Sequence, residues 1–156
     1  MERALRQHLP GGVFSSVTVR ASKNFSGIRG RNNRTTEVRF RLALVRAGIS
    51  GWKMHNRALP GNPDFVFLKE QIAVFVDGCF WHGCPRCGHI PKTNSPFWQA
   101  KIQRNIERDR TNTHKLRASN FKVARIWEHE LKSDLAGCVV RIADLIKQKR
   151  SKKGRR

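Results

Sequence analysis

A short segment, D-G-C-F-W-H-G-C-P-R-C at 77–87, constrains this chain more than any other part of it. It holds three of the four cysteines, together with a histidine, a carboxylate and two aromatic residues. Cys79, Cys84 and Cys87 have the short spacing with which thiolates converge on a tetrahedral zinc ion. The alternative is that they are free thiols packed as small hydrophobic residues. We predict a structural zinc site around which this loop folds.

The fourth zinc ligand must come from outside the three thiols, and four side chains are candidates: His82, His89, His129 and Cys138. His82 is crowded between the thiols, and His89 lies two residues past the last of them. Cys138 falls on the apolar face of a predicted C-terminal helix, which assigns it to the core. His129 follows a predicted strand that can carry it back to the thiols, so we predict a Cys3His site. His82 then remains free for proton transfer near neutral pH.

The net charge of the chain indicates what kind of partner it binds. The chain has 32 Lys and Arg residues against 11 Asp and Glu, a net charge of +21, and the excess is not confined to its ends. This excess of positive charge favours a polyanionic partner. Nucleic acid is favoured over an anionic membrane, because neither end of the sequence has a strongly amphipathic basic helix with bulky apolar residues. No apolar stretch is long enough to span a bilayer, and the clustered cysteines suit a reducing compartment. We expect a soluble, cytoplasmic protein.

The order of predicted elements indicates an α/β fold, a single domain with a central mixed sheet flanked by helices. The apolar run at 72–77 does not alternate, as expected for a central strand covered on both faces. We place a flexible basic arm at 1–35, the domain at 36–147 and a disordered basic tail at 148–156. Within the domain we predict helices at 37–47, 97–118 and 135–146 and strands near 52–55, 64–68, 72–77 and 121–127.

Two acids stand at strand ends. Asp64 opens one predicted strand and Asp77 closes the next, so antiparallel pairing through a turn at 69–71 would bring them side by side. Two adjacent carboxylates repel unless a cation lies between them, and Mg²⁺ is the usual cation where phosphate is handled. The simpler interpretation of Asp64 is a turn residue after proline.

Two further acids lie on predicted helices. Asp109 interrupts an apolar stripe, where an unpaired charge would cost several kcal/mol. We assign it to His82, as the acid that fixes the tautomer of the imidazole. The alternative is an ion pair with a neighbouring arginine, of which there are three: Arg104, Arg108 and Arg110. Glu37 begins the first helix, where a carboxylate either favours the helix dipole or serves a site.

Five motifs carry a resemblance to a known family: P-G-N-P-D-F (60–65), F-V-D-G-C-F-W-H-G-C-P (75–85), P-K-T-N-S-P-F-W (91–98), N-I-E-R-D (105–109) and I-W-E-H-E (126–130). In this order they resemble the very short patch repair (Vsr) endonucleases, over about residues 22–131. Such enzymes look like zinc-containing members of the PD-(D/E)xK nuclease group, with a restriction-endonuclease-like fold. The resemblance implies a bacterial, nucleoid-associated monomer that nicks one strand of double-stranded DNA at thymine–guanine mismatches left by deaminated 5-methylcytosine.

The resemblance also implies roles for single residues. Asp64 resembles the Mg²⁺-binding aspartate, His82 the general base, Asp109 the residue oriented toward that histidine, and Glu37 the helix carboxylate of the site. The zinc positions match Cys79, Cys84, Cys87 and His129. Asp77 stands where some relatives have a histidine, and the second acid and lysine of the wider nuclease group are absent after it.

For DNA contacts the resemblance indicates aromatic wedges beside the mismatch: Phe80, Trp81 and Trp98. A mismatch unstacks at lower cost than a Watson–Crick pair, so a wedge discriminates by deformability. Trp81 as a lid over the zinc loop and Trp98 as helix core are the alternatives. In the arm we expect DNA contacts from Lys23, Phe25, Arg29 and Arg31.

Two rival functions remain open to the sequence. One is a nickase of the same fold with another target, either restriction-associated or directed at a lesion. The other is a zinc-stabilised DNA-binding protein without catalysis, against which the joint presence of Asp64, His82 and Asp109 speaks.

Overall fold

A computed structural model of the 156-residue chain describes residues 3–9, 11 and 36–153. Four strands form one sheet, in the order β1 (Lys53–Met54), β2 (Phe65–Phe67), β3 (Ile72–Asp77) and β4 (Lys122–Trp127). β2 pairs antiparallel with both β1 and β3, whereas β3 and β4 pair in parallel. The predicted mixed sheet is confirmed.

In the described residues four α-helices accompany the sheet: α1 (Glu37–Arg46), α2 (Ser95–Ala118), α3 (Glu128–Ser133) and α4 (Leu135–Lys153). Parallel strands need a long crossover, and the cysteine-bearing loop at 78–94 together with α2 supplies it between β3 and β4. The short helix α3 was not predicted. A single turn after a strand leaves too few residues for a helical period to be recognised.

The sheet is covered on both faces. On one face Phe40 of α1 and Ile142 of α4 pack in a core cluster with Val74 of β3. On the other, Phe75 of β3 packs with Leu116 of α2. Burial of β3 from both sides explains why its sequence is apolar without alternation.

Both ends of the chain differ from expectation. A 3-10 helix at Arg3–His8 packs on α2, where Leu5 and Leu9 are buried against Phe97. At the other end α4 continues to Lys153, six residues past the expected domain limit at 147. Lysine and arginine are good helix formers, so a basic segment can extend a helix beyond the core that nucleates it. The described residues 3–9 and 148–153 are therefore ordered structure, and the remainder of arm and tail lies outside the described residues.

One edge of the sheet collects the residues of interest. In the parallel register Asp77 pairs with Trp127, so β3 and β4 end together. The cysteine loop leaves from the first strand end and α3 from the second. Because β2 runs antiparallel to β3 with Phe65 opposite Val74, the start of β2 and the preceding Asp64 reach the same edge.

Candidate active site

Three thiols and an imidazole converge beside the end of β3, and we call them the thiol cluster: Cys79, Cys84, Cys87 and His129. Nδ1 of His129 lies 3.3 Å from Sγ of Cys79 and 3.5 Å from Sγ of Cys84. The Cys87 sulfur lies 3.5 Å from the same nitrogen and 3.6 Å from Sγ of Cys84. Bonds of about 2.3 Å to sulfur and about 2.0 Å to nitrogen give a tetrahedron with edges of about 3.5–3.8 Å. The four atoms therefore fit a tetrahedral metal ion.

Without an ion, the environment of Cys79 favours the neutral thiol. Burial, reinforced by the neighbouring thiol of Cys87, raises the pKa of Cys79 to about 12. A divalent ion reverses this preference because it binds the thiolate form.

Cys138 packs in the main core, apart from the cluster. The ring of His89 faces Phe80 at 5.6 Å between centroids.

His82, inside the cysteine loop, pairs with a carboxylate of α2. Its Nδ1 lies 2.5 Å from Oδ2 of Asp109. Since a carboxylate accepts, Nδ1 carries the proton and Nε2 keeps its lone pair. Burial disfavours the charged form of Asp109, but the hydrogen bond from His82 and the charge of Arg125 outweigh it, so the pKa of Asp109 is lowered. The pair is therefore arranged to accept a proton at Nε2 while the carboxylate stabilises the imidazolium.

Arg125 of β4 ties this pair to the end of β3. Its Nη2 donates to Oδ2 of Asp109 at 2.9 Å. Its Nε and Nη2 donate to the two oxygens of Asp77 at 2.5 and 2.7 Å. The guanidinium also lies over the Phe75 ring, 5.1 Å from its centroid. One arginine thus pairs with two carboxylates and holds the partner of His82 in place.

The expectation that Asp64 and Asp77 share one cation is wrong, because Arg125 binds the carboxylate of Asp77. Asp77 is 2 % exposed, its carboxylate is occupied by Arg125, and its Oδ1 lies 3.6 Å from Nδ1 of His82. Residues two apart on a strand share a face, so the pairing of Asp77 with Trp127 puts Arg125 on the side where Asp77 points. The charge assigned to a metal comes instead from an arginine of the neighbouring strand.

Asp64 belongs to a second group, which we call the carboxylate cluster: Glu37, His55 and Asp64. One potential ligand atom from each lies within 4.8 Å of the others. Glu37 comes from the first turn of α1, His55 follows β1, and Asp64 precedes β2. The backbone N–H of Val76 donates to Oδ2 of Asp64 at 2.7 Å, which leaves Oδ1 for another partner.

The charge balance of the carboxylate cluster also favours a cation. Burial raises the pKa of Asp64 to about 7, the hydrogen bond from Val76 opposes this, and the charges of Glu37 and Asp77 add to it. Two carboxylates and an imidazole are donors that divalent cations accept. The donor set therefore fits a divalent ion, with coordination positions left over for water or a phosphate oxygen.

The two clusters and the His82 pair adjoin along one sheet edge. Asp64 accepts from the backbone of Val76, the next residue Asp77 lies beside His82, and His82 contacts Asp109. The structure thus brings together the three residues that the motifs single out, from a strand start, a loop and a helix.

A cleft of 570 Å³ opens beside His82 and Asp109. Its wall includes Arg110 and Arg117 of α2, both exposed, and Trp127 at the end of β4. Cationic side chains around a cleft raise the local concentration of anions. The pair therefore faces a surface suited to a phosphate backbone.

Beyond the cysteine loop lies a group that we call the aromatic cluster: Phe80, Trp81 and Trp98. Ring centroids are 4.9 Å apart for Phe80 and Trp81, 5.4 Å for Phe80 and Trp98, and 6.1 Å for the two tryptophans. Nζ of Lys101 lies 5.5 Å from the Trp81 ring centroid. All three rings are half-buried. Trp98 contacts Phe80 and Trp81 of the loop and also the buried Phe97 of α2. The arm residues expected to contact DNA lie outside the described residues: Lys23, Phe25, Arg29 and Arg31.

Two residues of this edge were missed by sequence reasoning, His55 and Arg125. Each had a weak signal. Arg125 interrupts an apolar strand between the buried Ala124 and Ile126, and a charge there needs a partner. His55 follows a two-residue strand, too short a context to indicate which way its side chain points.

Comparisons with known proteins identify relatives of this chain. The profile of the family described as "DNA mismatch endonuclease Vsr" matches residues 17–87. The chain is 37% identical over 139 residues to the type II nicking enzyme V.NaeI of Lentzea aerocolonigenes, covering 86% of this chain and 83% of that protein. It is 41% identical over 114 residues to the type II nicking enzyme V.NmeAIP of Neisseria meningitidis, covering 72% and 79%.

A third relative is the DNA mismatch endonuclease Vsr of Escherichia coli, 35% identical over 114 residues, covering 71% of this chain and 70% of that protein. Among the described residues, none of the helices is both long and apolar enough to cross a membrane. The similarity to these three relatives covers between 71% and 86% of this chain.

Proposed function

This chain belongs to the Vsr family of DNA endonucleases, and on that premise we propose that it nicks one strand of duplex DNA at thymine–guanine mismatches in a Mg²⁺-dependent reaction. The observation that carries the proposal is the hydrogen bond of His82 to Asp109, 2.5 Å long, beside the buried carboxylate cluster. An oriented imidazole next to clustered acids is what hydrolysis of a phosphodiester requires.

His82 acts as the general base. With Nδ1 protonated and bonded to Asp109, Nε2 takes a proton from the attacking water. Asp109 stabilises the imidazolium, and Arg125 keeps Asp109 ionised and fixed in place. Asp77 serves the site indirectly, by anchoring that arginine.

The carboxylate cluster holds the catalytic cation through Asp64 and Glu37. When bound, Mg²⁺ stabilises the negative charge that develops on the phosphate oxygens. Because the Val76 N–H donates to Oδ2 of Asp64, Oδ1 is the oxygen that would coordinate an ion. The fold is of the restriction-endonuclease type, with these acids at one edge of a mixed sheet.

The thiol cluster binds Zn²⁺ and has a structural role. Four protein ligands leave no open position for substrate. Its loop carries both His82 and the aromatic cluster, so the metal fixes the base and the wedge relative to each other. Phe80, Trp81 and Trp98 enter the base stack beside the mismatch, where unstacking costs least.

The partner is double-stranded DNA in the bacterial cytoplasm, bound by a monomer. The net charge of +21 supports strong, salt-dependent attraction to phosphates. The residues of the arm, Lys23, Phe25, Arg29 and Arg31, add contacts beyond the catalytic edge.

One second candidate is favoured by the relatives, several of which are named type II nicking enzymes. It is a nickase of the same fold whose target is set by sequence context rather than by a thymine–guanine pair alone. The two candidates share a mechanism and differ only in the substrate.

The test compares nicking of a thymine–guanine duplex with its matched twin, with and without Mg²⁺. We expect the mismatched duplex alone to be cut, and only with the ion. His82→Ala should lower the rate by about 10²–10⁴-fold, the usual contribution of a general base, and Asp64→Ala should abolish nicking while DNA binding persists. Asp144→Ala, which removes an exposed carboxylate outside this cleft, serves as the control. Equal cutting of both duplexes would favour the second candidate.

A further inference from the structure

His55 occupies an unusual position in the carboxylate cluster. Its backbone has φ of 48°, in the left-handed region that non-glycine residues seldom adopt. Its backbone N–H donates to the carbonyl of Asp64 at 3.2 Å. The peptide of His55 is therefore held against the segment that carries the acid, and the strained φ is maintained by tertiary contacts rather than by local preference.

The side chain of His55 lies between the two carboxylates. Nε2 is 3.4 Å from Oε2 of Glu37, and Nδ1 is 3.9 Å from Oδ1 of Asp64. Nε2 is buried and makes no hydrogen bond. Buried polar atoms are almost always paired, and an unpaired one calls for an explanation such as an ion.

A neutral imidazole nitrogen with a free lone pair is a metal ligand. The other two members of the cluster supply carboxylate oxygens, and one atom from each residue lies within 4.8 Å of the others. Three ligands on one side of an ion leave the opposite side open to water and phosphate, as a hydrolytic site requires.

We propose that His55 is a third protein ligand of the cation at Glu37 and Asp64, bound through Nε2, and that it biases the site toward Mn²⁺ and other nitrogen-accepting ions over Mg²⁺. The inference rests on the proposed function in that the cation at Asp64 serves nicking. Imidazole suits transition ions, whereas Mg²⁺ prefers oxygen and water. An all-oxygen site would show no such bias.

The experiment uses the full chain loaded with zinc and titrated with Mn²⁺ in the absence of DNA. Electron spin echo spectroscopy detects a ¹⁴N nucleus bonded directly to Mn²⁺, and Mg²⁺ competition gives the ratio of affinities. We expect a directly bonded ¹⁴N in the parent protein and a Mn²⁺ affinity at least about tenfold above that for Mg²⁺.

His55→Asn is the matched variant, because asparagine tolerates the left-handed backbone and its amide does not coordinate through nitrogen. It should lose the ¹⁴N coupling and about tenfold in Mn²⁺ affinity, while its Mg²⁺ affinity changes less. His8→Asn, which changes an exposed imidazole outside the cleft beside His82, should leave both unchanged. If His55→Asn fails to fold, His55→Gly accommodates the same φ, and the parent spectrum is a test by itself.

The outcomes separate this inference from the proposed function. A parent protein that nicks mismatched DNA but shows no bonded ¹⁴N, or a coupling that persists in His55→Asn, overturns the role of His55 and leaves the nuclease proposal standing. If the parent protein nicks no duplex but its ¹⁴N coupling is lost in His55→Asn, the nuclease proposal is overturned and the role of His55 as a metal ligand stands.

Discussion

The thiol cluster and the carboxylate cluster lie on the same sheet edge and differ in how they are built. Three of the four thiol-cluster ligands come from a nine-residue stretch, 79–87, and only His129 is distant. The three members of the carboxylate cluster come from a helix, the end of a strand and a loop. The thiol cluster offers four ligands, which would close the site around an ion, whereas the carboxylate cluster offers three and would leave positions open.

The difference separates stability from chemistry. A closed site can hold a loop together but cannot bind substrate, and an open site can bind substrate but contributes less to the fold. His82 stands between them, carried by the loop of the first cluster and adjoining the second. In the proposed mechanism, one metal site therefore positions the base that works beside the other.

Removing zinc tests the structural role of the thiol cluster and should have the largest effect on stability. Binding of a structural zinc ion contributes about 10 kcal/mol or more to folding. Cys84→Ser should lower the melting temperature sharply, expose 78–94 to proteolysis and stop nicking, as followed by circular dichroism and zinc content.

Cys138→Ala is its control, since that buried thiol lies in the main core outside the cluster. Removing Mg²⁺ should stop nicking with little change in melting. A chain that melts alike with and without zinc would contradict the structural role of the thiol cluster.

Arg125 tests the link between the two clusters. Arg125→Met leaves the buried Asp77 without its partner, which should cost about 3–5 kcal/mol in the free energy of unfolding, measured with urea. Nicking should slow as well, because Asp109 loses its fixed position. Arg108→Met, which removes an exposed arginine 3.4 Å from the same Asp109, should cost at most about 1 kcal/mol.

Adding Asp77→Asn to Arg125→Met should restore most of the stability but not the rate. Restoration of both would show that Arg125 has no part in positioning His82 and serves only to neutralise a buried acid.

The open cluster predicts a smaller, pH-dependent effect in zinc-loaded protein without other divalent ions. The pKa of Asp64 is about 7 when folded, above its ordinary value of 3.8, so between these values the folded state binds the extra proton. Stability should therefore fall as pH rises from 5 to 7, by up to about 1.4 kcal/mol per pH unit.

Asp64→Asn removes this contribution and keeps the rest of the pH dependence, including that of the thiols. The difference in unfolding free energy between parent and variant isolates the effect. A constant difference across this range would mean that Asp64 is already ionised, and that burial has not raised its pKa.

Much of the fold followed from local pattern. The apolar run of β3 indicated a strand covered on both faces, and the ranges of α1 and α2 agree with their periodicity to within two residues. The predicted N-cap interactions were wrong, because Thr36 makes no capping hydrogen bond through its side chain and Ser95 is the first residue of α2. The limits failed where local pattern is weak, at the six-residue helix α3 and at the basic end of α4, where helix formation continues without a core.

The amino-acid sequence by itself determined the parts that are close along the chain. Cysteine spacing indicated the thiol cluster, and the apolar stripe of α2 singled out Asp109, because periodicity and ligand spacing are properties of neighbouring residues. Only the tertiary structure decided that Arg125 rather than a metal neutralises Asp77, and that His55 joins Glu37 and Asp64. These pairings depend on the parallel register of β3 with β4 and on the packing of α1 beside the sheet. No local interaction encodes them.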